Sequence, residues 1–107
     1  MAAAEQAVRE HPGSAAHQNN YGITRLRAGD VEGARKAFAA AIDRDSKLAG
    51  PYYNLAILEK YYRFDDGAAS RWFGEYWKRS HDDPDGLAAV FGMKPVRSLA
   101  AEKGDVP

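Results

Sequence analysis

A repeat with a period of 34 residues constrains the fold of this chain more than any other feature. Residues 20–46 recur in degenerate form at 54–80, without a gap. In both copies a small residue is followed four positions later by an aromatic ring. A fixed period of this length, with this spacing, is typical of stacked helical hairpins. The identical pairs in register are Ala15 and Ala49, Asn20 and Asn54, Ile23 and Ile57, Gly33 and Gly67, Ala34 and Ala68, and Ser46 and Ser80.

The repeat resembles that of the tetratricopeptide repeat (TPR) family, and the resemblance covers about residues 1–83. Units of that family carry a Trp, a Leu-Gly pair, a Tyr, an Ala-x3-Phe pair and a closing Pro. Both copies keep the small and aromatic residues of the Ala-x3-Phe pair, but not the Tyr or the Pro. An unrelated protein of α-hairpins is the alternative. At the successive positions of this pattern, the first copy has Gln18, Tyr21-Gly22, Arg25, Ala34-x3-Phe38 and Ser46. The second copy has Tyr52, Leu55-Ala56, Glu59, Ala68-x3-Trp72 and Ser80.

The resemblance implies an all-α fold: a TPR-like right-handed superhelical stack of antiparallel helical hairpins with a short C-terminal capping helix. The N-terminal partial unit is either a cap on the array or the remainder of a unit in a longer protein. The expected TPR-like domain spans 1–93, with repeats at about 14–47 and 48–82, a partial unit at 1–12 and a capping helix at 84–93, followed by a tail or short helix at 94–107.

Local signals place the helices within each unit. Ser14, Asp30 and Asp65 or Asp66 are suitable N-caps, and Pro51 suits the first turn of a helix. Trp72, Phe73, Tyr76 and Trp77 form an aromatic band that needs a cover. Leu87, Val90, Phe91 and Met93 are predicted to supply it. The residues expected in the hairpin core are Ala34, Phe38, Leu55, Ala56, Ala68 and Trp72.

Composition limits the classes of function that this chain can have. Lys plus Arg and Asp plus Glu both number 15, so the chain lacks the basic excess that favours nucleic acid or an anionic membrane. No cysteine is present, which excludes disulfides and thiol catalysis. No apolar run approaches the roughly 18 residues of a membrane span, and we expect a cytoplasmic protein.

Motifs that carry chemistry are scarce. No phosphate-binding glycine loop, nucleophile motif or zinc-protease motif occurs. His81, Asp82 and Asp83 lie together, and a solvated turn is favoured over a metal site there. We therefore expect no enzyme activity, no cofactor and no bound metal.

The first helix of each pair is expected to line a concave face that binds a protein or peptide partner. Asn20 and Asn54 recur there, and an amide can both donate to and accept from a peptide backbone. TPR proteins that bind the acidic C-terminus of a chaperone combine such Asn residues with Lys and Arg. Here Ala16 and Gly50 stand where a Lys is expected, which argues against that function. Exposed helix polarity is the alternative meaning of the Asn pair. The expected partner-binding residues are Asn20, Ile23, Arg27, Tyr53, Asn54, Ile57, Lys60 and Tyr61.

Two functions follow from this pattern. The first is a protein–protein interaction module that binds a peptide segment or protein partner on the concave face. The second is a structural role, in which the chain stacks end to end within a larger solenoid or a homo-oligomer. Solution mass separates the two, since stacking depends on concentration.

Overall fold

The computed structural model describes residues 14–92 as a set of helices. No β-strand occurs within this range, so the predicted all-α class is confirmed. The predicted partial unit at 1–12 and the tail at 94–107 lie outside the described residues. The helices are α1 (Ala15–Arg27), α2 (Val31–Arg44), α3 (Gly50–Ile57), which continues into a π-helical turn (Leu58–Tyr62), α4 (Asp66–Trp77) and α5 (Leu87–Val90).

The first hairpin consists of α1 and α2, which pack against each other. The predicted caps are confirmed, because Ser14 Oγ accepts from His17 N at 3.3 Å and Asp30 Oδ1 accepts from Gly33 N at 2.9 Å. Gly29 allows the tight connection, since its φ of 88° is one that a side chain disfavours. Side-chain caps satisfy backbone donors that the first turn of a helix leaves free.

The second hairpin consists of α3, its π-helical turn and α4. Pro51 lies in the first turn of α3, where its missing N–H leaves no hydrogen bond unmade. Asp65 caps α4 by accepting from Ala68 N at 3.0 Å. Phe64, with φ of 57°, stands before this cap as Gly29 stands before Asp30. The two hairpins are therefore built on the same local plan.

The spacing in sequence between equivalent residues of the two hairpins is 34 before the π-helical turn and 35 after it. In the first hairpin, the N–H of Ala28 donates to the carbonyl of Thr24 at 3.1 Å. In the second, the N–H of Arg63 donates to the carbonyl of Leu58, also at 3.1 Å. The acceptors are 34 residues apart and the donors 35, so one extra residue lies between them. A π-helical turn accommodates such a residue by bonding five positions back.

Because of this extra residue, the buried residues of the second hairpin differ from the predicted ones. Ala69 and Phe73 are fully buried, at the same spacing as Ala34 and Phe38. The prediction that Ala68 and Trp72 are buried is wrong, because both are half-buried, one position before the core face. The predicted burial of Ala34, Phe38, Leu55 and Ala56 is confirmed.

The short helix α5 covers the aromatic band of α4. Leu87 is fully buried in one cluster with Phe73 and Tyr76, and Phe91 packs against that cluster. Val90, predicted to join the cover, is 47% exposed instead, because it lies on the outer side of this single turn. The helix is shorter than the predicted 84–93, since it begins only after Gly86. Met93 lies outside the described residues.

Candidate functional site

The first helices of the two hairpins, α1 and α3, meet through a pair of amides. Asn54 Nδ2 donates to Asn19 Oδ1 at 3.0 Å, across 35 positions of sequence. The sequence pairs Asn54 with Asn20 by register, but the partner of Asn54 is Asn19, and the neighbouring Asn20 is exposed. One amide of α3 therefore joins α1 and α3 into a single continuous surface.

Gly50 permits this close approach. A Cβ atom at Gly50 would lie 3.0 Å from Asn19 Nδ2, which is tighter than an ordinary contact. Gly50 is also one of the two positions where a Lys would be expected in a protein that binds the acidic C-terminus of a chaperone. The glycine is thus explained by the packing of α1 on α3 rather than by loss of a binding residue.

Tyr53 serves the fold rather than an open surface. Its side chain is only 7% exposed and packs edge-on against Tyr76, with ring centroids 4.7 Å apart. Its hydroxyl donates to Asp83 Oδ1 and accepts from Asp85 N, each at 2.9 Å. Burial raises the pKa of Tyr53 well above its usual range. This predicted partner-binding residue is therefore already committed to the segment before α5.

Asp83 holds α5 in place, a role that the sequence patterns do not indicate. Besides Tyr53, its carboxylate accepts from the N–H of Leu87 and of Ala88, each at 2.8 Å. Hydrogen bonds to a carboxylate are stronger than those to a neutral acceptor. The signal in the sequence is an acid four residues before an apolar turn, which is too general to single out. Within residues 14–92, no group of three or more metal-ligating side chains is placed to hold an ion.

Some of the other predicted partner-binding residues pack against the core, and the rest are at least partly exposed. Ile23 and Ile57 are half-buried and pack against the two core clusters. Lys60 Nζ bonds Asp66 Oδ1 at 2.9 Å and lies 5.9 Å from the centre of the Phe91 ring. Asn20 and Arg27 are exposed on α1, Asn54 is half-buried on α3, and Tyr61 is half-exposed in the π-helical turn. We call the surface formed by Asn20, Arg27, Asn54 and Tyr61 the α1–α3 face.

Exposed aromatic side chains cluster where α3 ends. Tyr61, Tyr62 and Phe64 are 50%, 45% and 81% exposed, respectively. Phe64 also adopts a left-handed backbone conformation, which for a bulky residue is unusual and costs about 1–2 kcal/mol. We call these three residues the aromatic end of the molecule.

Charged side chains are organised at the start of α2. Asp30 caps the helix and also accepts from Arg25 Nε at 2.9 Å. The backbone hydrogen bond from Gly33, with the Arg25 bonds, lowers the pKa of Asp30. These groups stabilise the connection between α1 and α2.

Comparisons with known proteins add no assignment. A scan against family models, a search of curated proteins and a search of solved structures each found no match to this chain. In the part of the chain that the structure describes, no helix combines the length and apolarity needed to cross a membrane.

Proposed function

We propose that this chain is a protein–protein interaction module, a short TPR-like right-handed stack of antiparallel hairpins that binds a peptide segment of a partner on the α1–α3 face. The observation that carries this proposal is the hydrogen bond between Asn54 and Asn19, because it makes one surface of helices from two successive units. The repeated caps and the repeated buried pairs of Ala and Phe support it. Absence of catalysis, absence of a cofactor and cytoplasmic location stay predictions.

The chemistry of the α1–α3 face suits an extended peptide. Asn20 offers an exposed side-chain amide, and Asn54 keeps one amide hydrogen beyond the one it donates to Asn19. Tyr61 adds a large contact area with few rotatable bonds. Arg27 adds a weak, salt-sensitive attraction for an acidic segment. Tyr53 and Ile57 support this face from beneath, through their packing in the core.

A displayed peptide library tests the proposal. Peptides selected on the full chain should bind it, and Asn20→Ala or Tyr61→Ala should weaken binding by about 1–3 kcal/mol, since each removes a contact without removing core packing. The measurement is the Kd by calorimetry, at several salt concentrations. Asn54→Ala is a less direct probe, because it also leaves Asn19 without its donor.

Lys36→Ala supplies the matched control, because Lys36 is exposed on α2, outside the α1–α3 face. It should bind the selected peptides as tightly as the parent. Equal affinity of the parent, Asn20→Ala and Tyr61→Ala would show that the α1–α3 face is not the binding surface.

Self-association through the aromatic end is the second candidate function. The exposure of Tyr61, Tyr62 and Phe64, together with the strained backbone of Phe64, favours a surface that is covered in an assembly. Sedimentation equilibrium over a range of concentrations distinguishes it. A dimer that Phe64→Ser abolishes would support this candidate, and a monomer at all concentrations would exclude it.

A further inference from the structure

The non-helical segment before α5 is held by the second hairpin through its main chain, as a peptide ligand would be. The hydroxyl of Tyr76 donates to the carbonyl of Asp82, and the hydroxyl of Tyr53 accepts from the N–H of Asp85 at 2.9 Å. In peptide recognition, main-chain hydrogen bonds commonly supply affinity, and pockets for side chains supply specificity. We call residues 82–91, which include this segment and α5, the cover segment.

Two side chains of the cover segment give its contact with the hairpin specificity. Asp83 Oδ1 accepts from the hydroxyl of Tyr53 at 2.9 Å and from the N–H of Leu87 at 2.8 Å. The side chain of Leu87 is fully buried in one cluster with three aromatic side chains. We call the surface that these three form the α3–α4 groove: Tyr53, Phe73 and Tyr76. The groove therefore selects an acidic residue followed, four positions later, by a leucine.

The cover segment has little structure of its own. Its helix α5 has only four residues, whereas isolated helices shorter than about 12–15 residues are marginal in water. Gly86 before the helix and Gly92 after it both have a left-handed backbone, with φ of 69° and 72°. Val90 is 47% exposed on the outer side. The position of the segment therefore depends on the α3–α4 groove, for which another segment of the same chemistry can compete.

The connection from α4 directs the cover segment back onto its own hairpin. The N–H groups of Arg79 and Ser80 donate to the carbonyl of Tyr76 at 2.8 and 3.0 Å, and the N–H of Asp82 donates to Ser80 Oγ at 3.2 Å. Exchange of the segment with a second copy would break these bonds, because the connection would have to extend to reach another molecule. A different protein is therefore favoured over a second copy as the source of a competing segment.

We propose that the cover segment is an internal ligand, and that the α3–α4 groove binds a segment of a partner protein that carries an acidic residue four positions before a leucine. The partner segment displaces the cover segment and makes the same contacts, with its carboxylate on Tyr53 and its leucine among the three rings. A site that is competent in only a fraction of the molecules binds with an affinity reduced by that fraction. The cover segment therefore keeps the affinity of the groove low. This proposal does not depend on peptide binding by the α1–α3 face.

A labelled synthetic peptide of residues 80–92 tests the proposal, because it carries the acid and the leucine of the cover segment at their own spacing. Fluorescence anisotropy measures its binding to the full chain. Leu87→Ala in the chain removes the anchor of the internal ligand and leaves the residues of the α3–α4 groove unchanged. This variant should bind the peptide at least about tenfold more tightly than the parent, because loss of a buried leucine favours the open form by more than that factor.

Val90→Ala is the matched control in the chain, since it shortens an exposed side chain of the same helix. It should bind the peptide as the parent does. Peptides in which Asp83 or Leu87 is replaced by Ala should bind the Leu87→Ala chain about tenfold more weakly than the unaltered peptide.

Circular dichroism establishes that the helices persist in Leu87→Ala and in Asp83→Ala, which also releases the segment and replaces Leu87→Ala if only it is helical. If neither variant is helical, the cover segment is a required part of the fold, and the proposal is overturned. Equal affinity of the Leu87→Ala and Val90→Ala chains, or of the three peptides, would also overturn it.

Sedimentation of the parent tests for the other occupant. A dimer that Leu87→Ala abolishes and Phe64→Ser does not would assign the α3–α4 groove to a second copy and overturn the proposal of a separate partner. None of these outcomes bears on peptide binding by the α1–α3 face, which Tyr61→Ala tests separately.

Discussion

Two adjacent aromatic residues of α4, Trp72 and Phe73, have exchanged the places that the repeat assigns to them. Phe73 is fully buried and contacts the rings of Tyr53, Tyr76 and Phe91, whereas Trp72 is half-buried on the side of α2. Sequence similarity favours Trp72 for the core because identical residues of both copies align at a spacing of 34. Burial instead follows the N-cap Asp65, from which Phe73 is as distant as Phe38 is from Asp30.

Alanine substitution of these two residues tests the register at the scale of single side chains. Phe73→Ala should lower the free energy of unfolding by about 3–5 kcal/mol, because it empties a filled core position. Trp72→Ala should lower it less, by about 1–2 kcal/mol, since Trp72 is only half-buried and packs at the margin of the core clusters. Urea denaturation followed by circular dichroism measures both values. A larger loss for Trp72→Ala than for Phe73→Ala would contradict the observed register.

At the scale of the element, the π-helical turn is where the second unit acquires its extra residue. The N–H of Asp65 reaches back six residues to the carbonyl of Glu59, at 2.7 Å, whereas Asp30 reaches back five to Arg25. Both connections nevertheless end in a left-handed residue and an Asp cap. The insertion is therefore confined to the end of α3, and α4 keeps the plan of α2.

Deletion of Tyr62 tests whether the π-helical turn does no more than accommodate the extra residue, or is needed for the fold. Removing it places the N–H of Arg63 four positions after Leu58, the spacing of an ordinary α-helix. The free energy of unfolding should change by about 1 kcal/mol or less, because the same donor and acceptor can still pair and Tyr62 is half-exposed. Urea denaturation measures the change.

Deletion of Ala37 is the control, because it lies inside a regular helix between two core residues. It shortens the spacing of Ala34 and Phe38 from four residues to three and should be several times more destabilising. If deletion of Tyr62 were as destabilising as deletion of Ala37, the turn would be required for the fold itself.

At the scale of the whole molecule, buried tyrosines join the second hairpin to α5. Tyr53 bonds Asp83 and Asp85, while the hydroxyl of Tyr76 donates to the carbonyl of Asp82 and accepts from Ser80 Oγ. Burial is the main cause that raises the pKa of both tyrosines above the ordinary value of 10.0. The native structure therefore favours their neutral forms.

Alkaline titration tests this linkage. Because both pKa values are raised on folding, the stability contributed by the two tyrosines is fully present below about pH 10 and decreases as pH rises further. The tyrosinate absorbance of Tyr53 and Tyr76 should appear only together with loss of helical circular dichroism. Tyr53→Phe and Tyr76→Phe should each remove one tyrosinate from that cooperative step. Complete ionisation of all tyrosines while the helices persist would contradict the prediction.

The sequence by itself determined the all-α class, the caps Ser14 and Asp30, and a third cap at Asp65 or Asp66, of which the structure uses Asp65. Ser14, Asp30 and Asp65 act on N–H groups within three residues, so their effect is visible in a short stretch of sequence. The core of the first hairpin followed for the same reason, because Ala34 and Phe38 lie on one face of a single helix.

Only the tertiary structure decided the register of the second hairpin, and which of the predicted partner-binding residues are buried or bonded within the fold. An extra residue between Leu58 and Asp65 can enter the connection, the end of α3 or the start of α4, and local preferences do not distinguish these places. Packing of Ala69 and Phe73 in the core selects the end of α3. Likewise, Asp83 lies 30 residues from Tyr53, and Asn54 lies 35 from Asn19. Such contacts depend on the relative placement of whole helices, which is set by the shared core.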